Sequence, residues 1–577
     1  GTLRKNRVSS SRRPPVRARR PRIQSRRRTS ILALGHVSFP NLPMPHLPLP
    51  RAVRLCAGIT LAALAPFAAR AAGQPATAPA PMAPKAAAAA PVDRATALAA
   101  MKRATSFMTE KVAVHGGYVW TYLPDLSRRW GEMEATAQMI WVQAPGTVQM
   151  GHVFLDAYHA TGDEYYYRAA GQVAGALMEG QHPAGGWHYL IDFAGEQHLR
   201  DWYATTGKNA WRLEEYQHYY GNATFDDSSS SDAAQYMLRF YLEKRDAKAK
   251  ASLDRAIQFV LDAQYPSGGW PQRFPKTDEF HHSGNADYTS YITFNDDVTG
   301  GNVDFLVQCY QALGDKRLLE PIRRGMDVFL ATQGPAPQAG WSLQHTLDLK
   351  PAGARTYEPK SLATHTTGSN VAALIKFYRL TGDAKYLARI PETLAWLDSV
   401  KLAPDVQGNG THPTFVELGT NLPLFIHRKG SNVINGEYYA DHDWHNTIGH
   451  YSSFRRVDTA GLRARYEEAK ALAPAVATKD SPLLHPDPAA AFVRYFARGG
   501  GAPGGFGGRG GGGGVAQTIA SLNAEGYWPT ELRSTSHPFT RDGSKQVTPG
   551  EFGRTQVGDE TDTSPCTSTH RIMGIST

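Results

Sequence analysis

The chain has 577 residues, more than one ordinary hydrophobic core organises, and its composition changes sharply along its length. The formal charge is +10, yet residues 1–71 hold 15 Lys or Arg and no acidic residue, so the remainder carries −5. A net-acidic remainder gives no electrostatic reason to expect a nucleic-acid partner. Only Cys309 and Cys566 lie beyond residue 71, which excludes a disulfide framework and a thiolate metal site.

The N-terminal segments are predicted to be processed rather than folded. Met44 opens a segment with two arginines, the apolar run 55–69 and an Ala-x-Ala site ending at Ala71. We therefore predict a non-native upstream extension at 1–43, a signal peptide at 44–71 and an Ala/Pro-rich spacer at 72–94. Because the apolar run is shorter than a membrane span, we expect a secreted or periplasmic protein without a membrane anchor.

Residues 95–475 are predicted to form helical hairpins. The turns that end one amphipathic pattern and begin the next are alike, each with Gly as C-cap followed by Asp as N-cap: Thr161-Gly162-Asp163, Leu313-Gly314-Asp315 and Thr381-Gly382-Asp383. Each flanking segment has apolar residues at helical spacing, so both helices of a pair have a face to bury. The elements are αα-hairpins, and the domain is all-α.

A second recurring motif indicates how the hairpins are arranged. It follows the helix-like stretches at Gly185-Gly186-Trp187, Gly268-Gly269-Trp270 and Gly340-Trp341. Solenoids usually keep short, uniform connections, whereas here the long connections 188–230 and 271–299 carry polar and aromatic residues. We therefore predict an α/α toroid, a barrel of repeated helical hairpins, with long functional loops on one rim.

The C-terminal part of the chain is predicted to lie outside the toroid. Residues 476–514 read as a linker, since 498–514 are mostly Gly. Residues 515–577 form a region to which the sequence assigns no role.

Two acidic clusters and one arginine are the candidate site. Asp226 and Asp227 end one connection, Asp296 and Asp297 end the next, and Arg355 lies in a third. Converging carboxylates at the mouth of a helical barrel suit a hard divalent cation. The alternatives are that the first aspartate pair only caps a helix, and that the arginine only forms a salt bridge to Glu358 or to an aspartate.

Several segments, in order, resemble the pectic acid lyases, the pectate lyases of polysaccharide lyase family 10. The resemblance extends from Gly185 to Phe454. Its segments are Gln264 to Gln272, Ile292 to Asp297, Trp341 to His345, Ala354 to Glu358 with Ser361-Leu362, and Thr411 to Phe415.

The resemblance implies calcium-assisted β-elimination on polygalacturonate, which removes the C5 proton, expels the C4 oxygen and yields unsaturated oligogalacturonides. It assigns catalysis to Arg355, Asp226 and Asp296, with Arg355 as the base. It places Ca²⁺ among Asp226, Asp227, Asp296 and Asp297, although the family usually has Asn at position 227. A guanidinium normally stays protonated, so Tyr357, Lys360 and His345 are kept as second candidates for the base.

The resemblance also indicates substrate contacts. Arg428 matches an arginine that grips a galacturonate carboxylate with its bidentate fork. Further candidates for substrate binding are Tyr357, Lys360, Trp270, Gln344 and His345. Polygalacturonate or pectate is the expected partner, and a monomer is the expected state.

Three other functions remain open from the sequence. An inverting glycoside hydrolase could use Asp226 and Asp296 as acid and base. A non-catalytic toroid could bind acidic polysaccharide and release nothing. A triterpene cyclase would share the Gln-x-x-x-Gly-x-Trp turn at Gln264 to Trp270, but the Asp-x-Asp-Asp motif of its proton donor is absent.

Overall fold

The computed structural model describes residues 92–207, 214–277, 286–406, 410–429, 437–445, 447, 453–488, 514–531 and 568–569. All of them belong to one unit, residues 84–577. The predicted upstream extension, the signal peptide and the glycine-rich run before Gly514 lie outside the described residues. The predicted domain boundaries therefore stay predictions.

Helices dominate the described part of the chain. In chain order they are α1 (Arg94–Phe107), α2 (Thr147–Thr161), α3 (Glu164–Glu179), α4 (Glu196–Thr205), α5 (Glu214–Gln217), α6 (Ser229–Lys244), α7 (Ala247–Ala263), α8 (Val298–Leu313), α9 (Leu319–Thr332), α10 (Thr364–Thr381), α11 (Lys385–Ala388), α12 (Ile390–Ser399), α13 (Thr459–Ala471), α14 (Pro474–Ala477) and α15 (Val515–Ala520). Single turns of 3₁₀ helix occupy Asp226–Ser228, Tyr288–Ser290, Asn295–Asp297 and Lys316–Leu318, and a π turn, Met108–Val112, extends α1.

The predicted hairpin turns are confirmed. Gly162, Gly314 and Gly382 end their helices with φ of 72°, 71° and 71°. The aspartate that follows the first of these glycines, Asp163, caps α3 by accepting a hydrogen bond from the backbone of Tyr165. A left-handed Gly followed by an extended, capping Asp reverses the chain within a few residues. The returning helix therefore packs against the one before it.

The hairpins follow one another around the domain, as predicted for an α/α toroid. The pairs are α2 with α3, α6 with α7, α8 with α9, and α10 with α11 and α12. Helix α6 packs against α2 and α8, and α10 packs against α9 and α13. The sequence-based assignment to an all-α toroid is confirmed.

The glycine–aromatic turns join neighbouring hairpins. Gly185 and Gly268 have φ of 105° and 102°, and a Cβ on either would lie 2.3 or 2.0 Å from a carbonyl oxygen of the next outer helix, at Arg255 or Arg324. Only Gly permits this backbone approach. The indole that follows each pair donates its N–H to a carbonyl of the preceding outer helix, at Leu177 for Trp187, Val260 for Trp270 and Phe329 for Trp341. Each turn thereby ties one hairpin to the next.

The C-terminal segment carries one more turn of this kind. Gly526 has φ of 105°, and a Cβ there would lie 2.6 Å from the carbonyl oxygen of Arg103 in α1. The Tyr527 ring packs 4.9 Å from that of Phe107, and Leu522 is buried with two alanines of α1. The segment after Gly514 therefore packs on the first helix as each earlier turn packs on its neighbour.

Short strands line the connections between the helices. They are β1 (Thr121–Tyr122), β2 (Arg129–Trp130), β3 (Glu134–Ala135), β4 (Met139–Trp141), β5 (Leu190–Asp192), β6 (Ala223–Thr224), β7 (Arg273–Phe274), β8 (Ile292–Thr293), β9 (Gln344–His345), β10 (Pro351–Ala352), β11 (Leu362–Ala363), β12 (His412–Pro413), β13 (Phe415–Val416), β14 (Pro423–Lys429), β15 (Glu437–Asp441), β16 (Phe454–Arg455), β17 (Thr530–Glu531) and β18 (Ser568–Thr569). The sheets are antiparallel, with orders β1-β2-β3, β4-β5, β6-β7, β10-β9-β8, β11-β13-β14-β15, β12-β16 and β17-β18. They give the long connections between the helices a defined backbone structure.

Within the described ranges, no helix has the length and apolarity needed to cross a bilayer.

Candidate active site

Two matching 3₁₀ turns bring the aspartates to the N-termini of α6 and α8. Asp227 has φ of 48°, and Asp296 and Asp297 have φ of 49° and 55°. The left-handed conformation costs an L-residue about 1–2 kcal/mol. The two turns pack against each other. The same uncommon backbone in two neighbouring connections is typical of a functional site.

Asp226 is the buried centre of this arrangement. It is fully buried, and its Oδ2 accepts hydrogen bonds from the Tyr189 hydroxyl and, over 2.7 Å, from Nη2 of Arg355. Its Oδ1 accepts no hydrogen bond from the residues that the structure describes. Since buried carboxylate oxygens are normally hydrogen-bonded, Oδ1 is available for a ligand.

Arg355 is held by three carboxylates. Its Nη2 pairs with Asp226 at 2.7 Å, its Nε with Glu215 at 3.2 Å and its Nη1 with Glu358 at 3.1 Å. Glu358 also accepts the backbone N–H of the arginine across the tight turn that the two residues close. Helix α5 fixes this loop from the other side, where Glu214 accepts a hydrogen bond from the backbone of Thr356. The salt-bridge alternative considered from the sequence is thus present, to both Glu358 and an aspartate.

The pKa values of this buried cluster follow from its charges. Burial alone would lower the pKa of Arg355, but Glu215, Asp226 and Glu358 outweigh it and raise that pKa well above its ordinary value. Burial would raise the pKa of Asp226, but Arg355 and the Tyr189 hydroxyl hold it below its usual value. Burial, opposed by Arg355 and assisted by nearby acids, raises the pKa of Glu215 to about 7. Arg355 is therefore a permanent cation in this structure.

Asp227 is held by a side chain from the N-terminal part of the domain. Gln143 donates its Nε2 to Asp227 Oδ2 at 2.8 Å and to Glu132 Oε2 at 3.3 Å. Burial raises the pKa of Asp227 well above its usual value, and Asp296, Asp226 and Glu132 add to the shift. The crowded carboxylates therefore disfavour the charged form of Asp227 unless a proton or a cation neutralises it.

Asp296 and Asp297 are both exposed to solvent, although many protein atoms lie around them. Burial, then Asp226, raises the pKa of Asp296 well above its usual value. The pKa of Asp297 is raised to about 7 by burial and by Asp304, opposed by Lys376. Asp297 thus lies among a different set of charges from the other three aspartates.

The side chains present are of the chemical type that binds calcium. Their donors are carboxylate oxygens, the type that calcium prefers, and Asp226 Oδ1 is buried without a partner. In the described parts of the chain, no group of three or more His, Cys, Asp or Glu side chains is already arranged to hold a metal ion. The metal ligands therefore stay a prediction, which the structure favours most for Asp226, Asp227 and Asp296.

The predicted substrate contacts differ in their access to solvent. Lys360 is exposed on the loop of Arg355. Trp270, Tyr357, Gln344 and His345 are all buried, and burial lowers the pKa of His345 to about 3 and raises that of Tyr357 far above its usual value. The roles predicted for these four stay predictions, and their side chains are as buried as those of Asp226 and Arg355. Arg428 lies on β14 opposite Tyr438, and its side chain is outside the described residues.

A cleft of about 270 Å³ opens beside Arg355. It is lined by Ala286, Tyr291, Gly353, Ala354, Arg355, Thr356 and Glu358. A larger surface depression of about 520 Å³ lies between α12 and α13, away from the aspartates. Of these two depressions in the described part of the chain, the small cleft is the one that Arg355 lines.

Sequence reasoning missed several members of the cluster. Tyr189, Glu132, Gln143 and Glu215 come from four separate elements, and none lies in a motif that would have identified it. Tyr189, Glu214 and Glu215 all lie in the long connection 188–230 predicted to be functional, and that was the signal the sequence offered for them.

Comparison with known proteins finds a match that includes the loops of the aspartates and of Arg355. A family model described as pectic acid lyase matches residues 192–450. This segment matches the pectic acid lyase family. The matched segment contains the four aspartates and Arg355, and the match supports a polysaccharide lyase. Glu132 and Gln143 precede it. The resemblance stated from the sequence is confirmed.

Solved structures with similar folds include a mutant of the family 10 polysaccharide lyase from Cellvibrio cellulosa in complex with trigalacturonic acid. It is 16% identical, with TM-score 0.30, over 52% of this chain and 96% of that one. The family 10 polysaccharide lyase from Cellvibrio cellulosa is 17% identical, with TM-score 0.29, over 51% and 90%. The cellobiose 2-epimerase from Spirochaeta thermophila is 12% identical, with TM-score 0.35, over 57% and 75%. No curated protein matches the chain.

Proposed function

We propose that the protein is a secreted pectate lyase that cleaves (1→4)-α-D-galacturonan by calcium-assisted β-elimination and releases unsaturated oligogalacturonides. The observation that carries the proposal is the pairing of a buried, partner-free Asp226 Oδ1 with a permanently charged Arg355 beside an open cleft. One oxygen is available to a cation, and the guanidinium is placed to receive an anionic sugar. Both are needed to act on a substrate that is itself a polyanion.

Asp226, Asp227 and Asp296 are the proposed calcium ligands. Calcium, when bound, would supply electrostatic stabilisation of the charge that builds up next to the uronate carboxylate. The protein's own contribution is to fix the ligand geometry. Tyr189 and Arg355 both bind Asp226 through Oδ2, which leaves Oδ1 oriented for the ion. Arg428 remains a proposed contact to a second carboxylate.

Arg355 is proposed to act as a cation rather than as the base at C5. Three salt bridges raise its pKa, so loss of its proton would leave buried carboxylates uncompensated. Its role is to bind and stabilise the negative charge that develops at C5 and on the adjoining carboxylate. Among the second candidates for the base, Lys360 is the one exposed to solvent. We propose it as the proton acceptor.

Product identity tests the reaction class. Mass spectrometry of polygalacturonate digests should show oligomers lighter than the hydrolysis products by one water, formed with calcium and suppressed by a chelator. Saturated oligomers without any unsaturated ones would contradict elimination and favour the inverting hydrolase, and binding without any product would favour the non-catalytic toroid.

A further inference from the structure

The side chain of Gln143 forms a bridge between two carboxylates at the aspartate cluster. Its Nε2 donates to Asp227 Oδ2 at 2.8 Å and to Glu132 Oε2 at 3.3 Å. The Trp141 indole donates to Gln143 Oε1 at 3.1 Å, which fixes the orientation of the amide. Because that oxygen is occupied, the NH₂ group is the end that faces the carboxylates.

Glu132 is held in place by its own turn. It lies between β2 and β3, next to Gly131, whose ideal Cβ would be 1.9 Å from the Trp141 ring. The Tyr216 hydroxyl donates to Glu132 Oε2 at 3.1 Å. The same small sheet is fastened by the Arg128–Glu134 salt bridge at 2.7 Å. The sheet therefore holds the Glu132 carboxylate in a fixed position beside the aspartates.

The arrangement brings the carboxylates of Glu132 and Asp227 to one neutral amide. Gln143 holds Asp227 through Oδ2, as Tyr189 and Arg355 hold Asp226 through its Oδ2. The fully buried Asp226 Oδ1, without a hydrogen bond, independently indicates a ligand at this place. Both aspartates are thus held through one oxygen, and Oδ1 of Asp226 is available to a ligand.

We propose that Gln143 and Glu132 are positioning residues of the cation site: Gln143 orients Asp227, and Glu132 adds the negative charge that strengthens cation binding. The inference rests on the proposed calcium dependence and extends it to residues outside the matched segment 192–450. Outer residues that orient metal ligands typically contribute tenfold to a hundredfold to metal affinity. The domain would then need its N-terminal sheet to bind calcium, not only the matched segment.

Calcium titration of the full chain by isothermal calorimetry, without substrate, tests this directly. Glu132→Gln and Gln143→Leu should each weaken calcium binding by about tenfold or more. Glu132→Asp, which restores the charge, should recover part of the loss. The control is Asp125→Asn in the same N-terminal sheet, since Asp125 is exposed and hydrogen-bonds only locally with Ser127. It should leave the affinity unchanged within about twofold, because solvent screens its charge.

The outcomes separate the two proposals. If wild type binds calcium and Glu132→Gln binds it equally well, the positioning role is wrong while the proposed function stands. If wild type binds no calcium, both the calcium dependence and this inference fail. Thermal unfolding of each variant checks the fold, and Glu132→Gln is the safer of the two because its amide oxygen still accepts from Tyr216.

Discussion

At the level of single residues, the contacts of Arg355 bear on whether it acts as a cation or as the base. Two of its contacts, to Asp226 and Glu358, were among the alternatives drawn from the sequence, whereas Glu215 was not. The guanidinium is 4% exposed and has a carboxylate at each nitrogen. The three carboxylates favour the charged form of this guanidinium and raise its pKa further above the ordinary value.

Arg355→Lys distinguishes a cation from a base. Lys keeps the positive charge but cannot pair with all three carboxylates at once. We therefore expect kcat to fall by about 10²-fold, while the pH at which the rate rises stays unchanged. The measurement is a pH–rate profile of wild type and variant. If Arg355 were the base, Lys, with an ordinary pKa at least two units lower, would move the rise toward lower pH by about that amount. A shift of that kind would contradict the assignment.

At the scale of elements, the glycine–aromatic turns show what the sequence could and could not reveal. The turns at Gly185 and Gly268 were found because Trp follows the glycines. The turns at Gly116 and Gly526 were missed because Tyr follows them, although both have positive φ and lie against a neighbouring helix backbone. The physical requirement is a glycine that admits a carbonyl from the next helix, and the identity of the aromatic is secondary.

Gly526→Ala tests whether the C-terminal turn packs on α1. The added Cβ would be strained at φ of 105° and would meet the Arg103 carbonyl at 2.6 Å, so we expect the free energy of unfolding to fall by about 2–4 kcal/mol. The matched control is Gly314→Ala, at φ of 71° with no atom within 4 Å of its Cβ, which should cost about 1 kcal/mol. Urea unfolding measures both. Equal costs would mean that the turn does not pack on α1.

At the scale of the whole molecule, the site is assembled from distant parts of the chain. The toroid was predictable because hairpin turns and apolar periodicity are local signals. The contacts of Arg355 with Glu215 and of Gln143 with Asp227 join residues 140 and 84 positions apart. Such pairs follow only from how successive hairpins pack, which no local pattern encodes.

The central claim is that this assembly performs calcium-assisted elimination on polygalacturonate. The most direct measurement is the ultraviolet absorbance of the unsaturated product, followed with the chain from Ala72 at alkaline pH, with added calcium or with a chelator. Calcium-assisted elimination should give a steady rise with calcium, none with chelator, and a rate at least 10²-fold lower for Asp226→Asn, which removes the charge of the buried ligand. A rise that persists in chelator, or new reducing ends without absorbance, would contradict it.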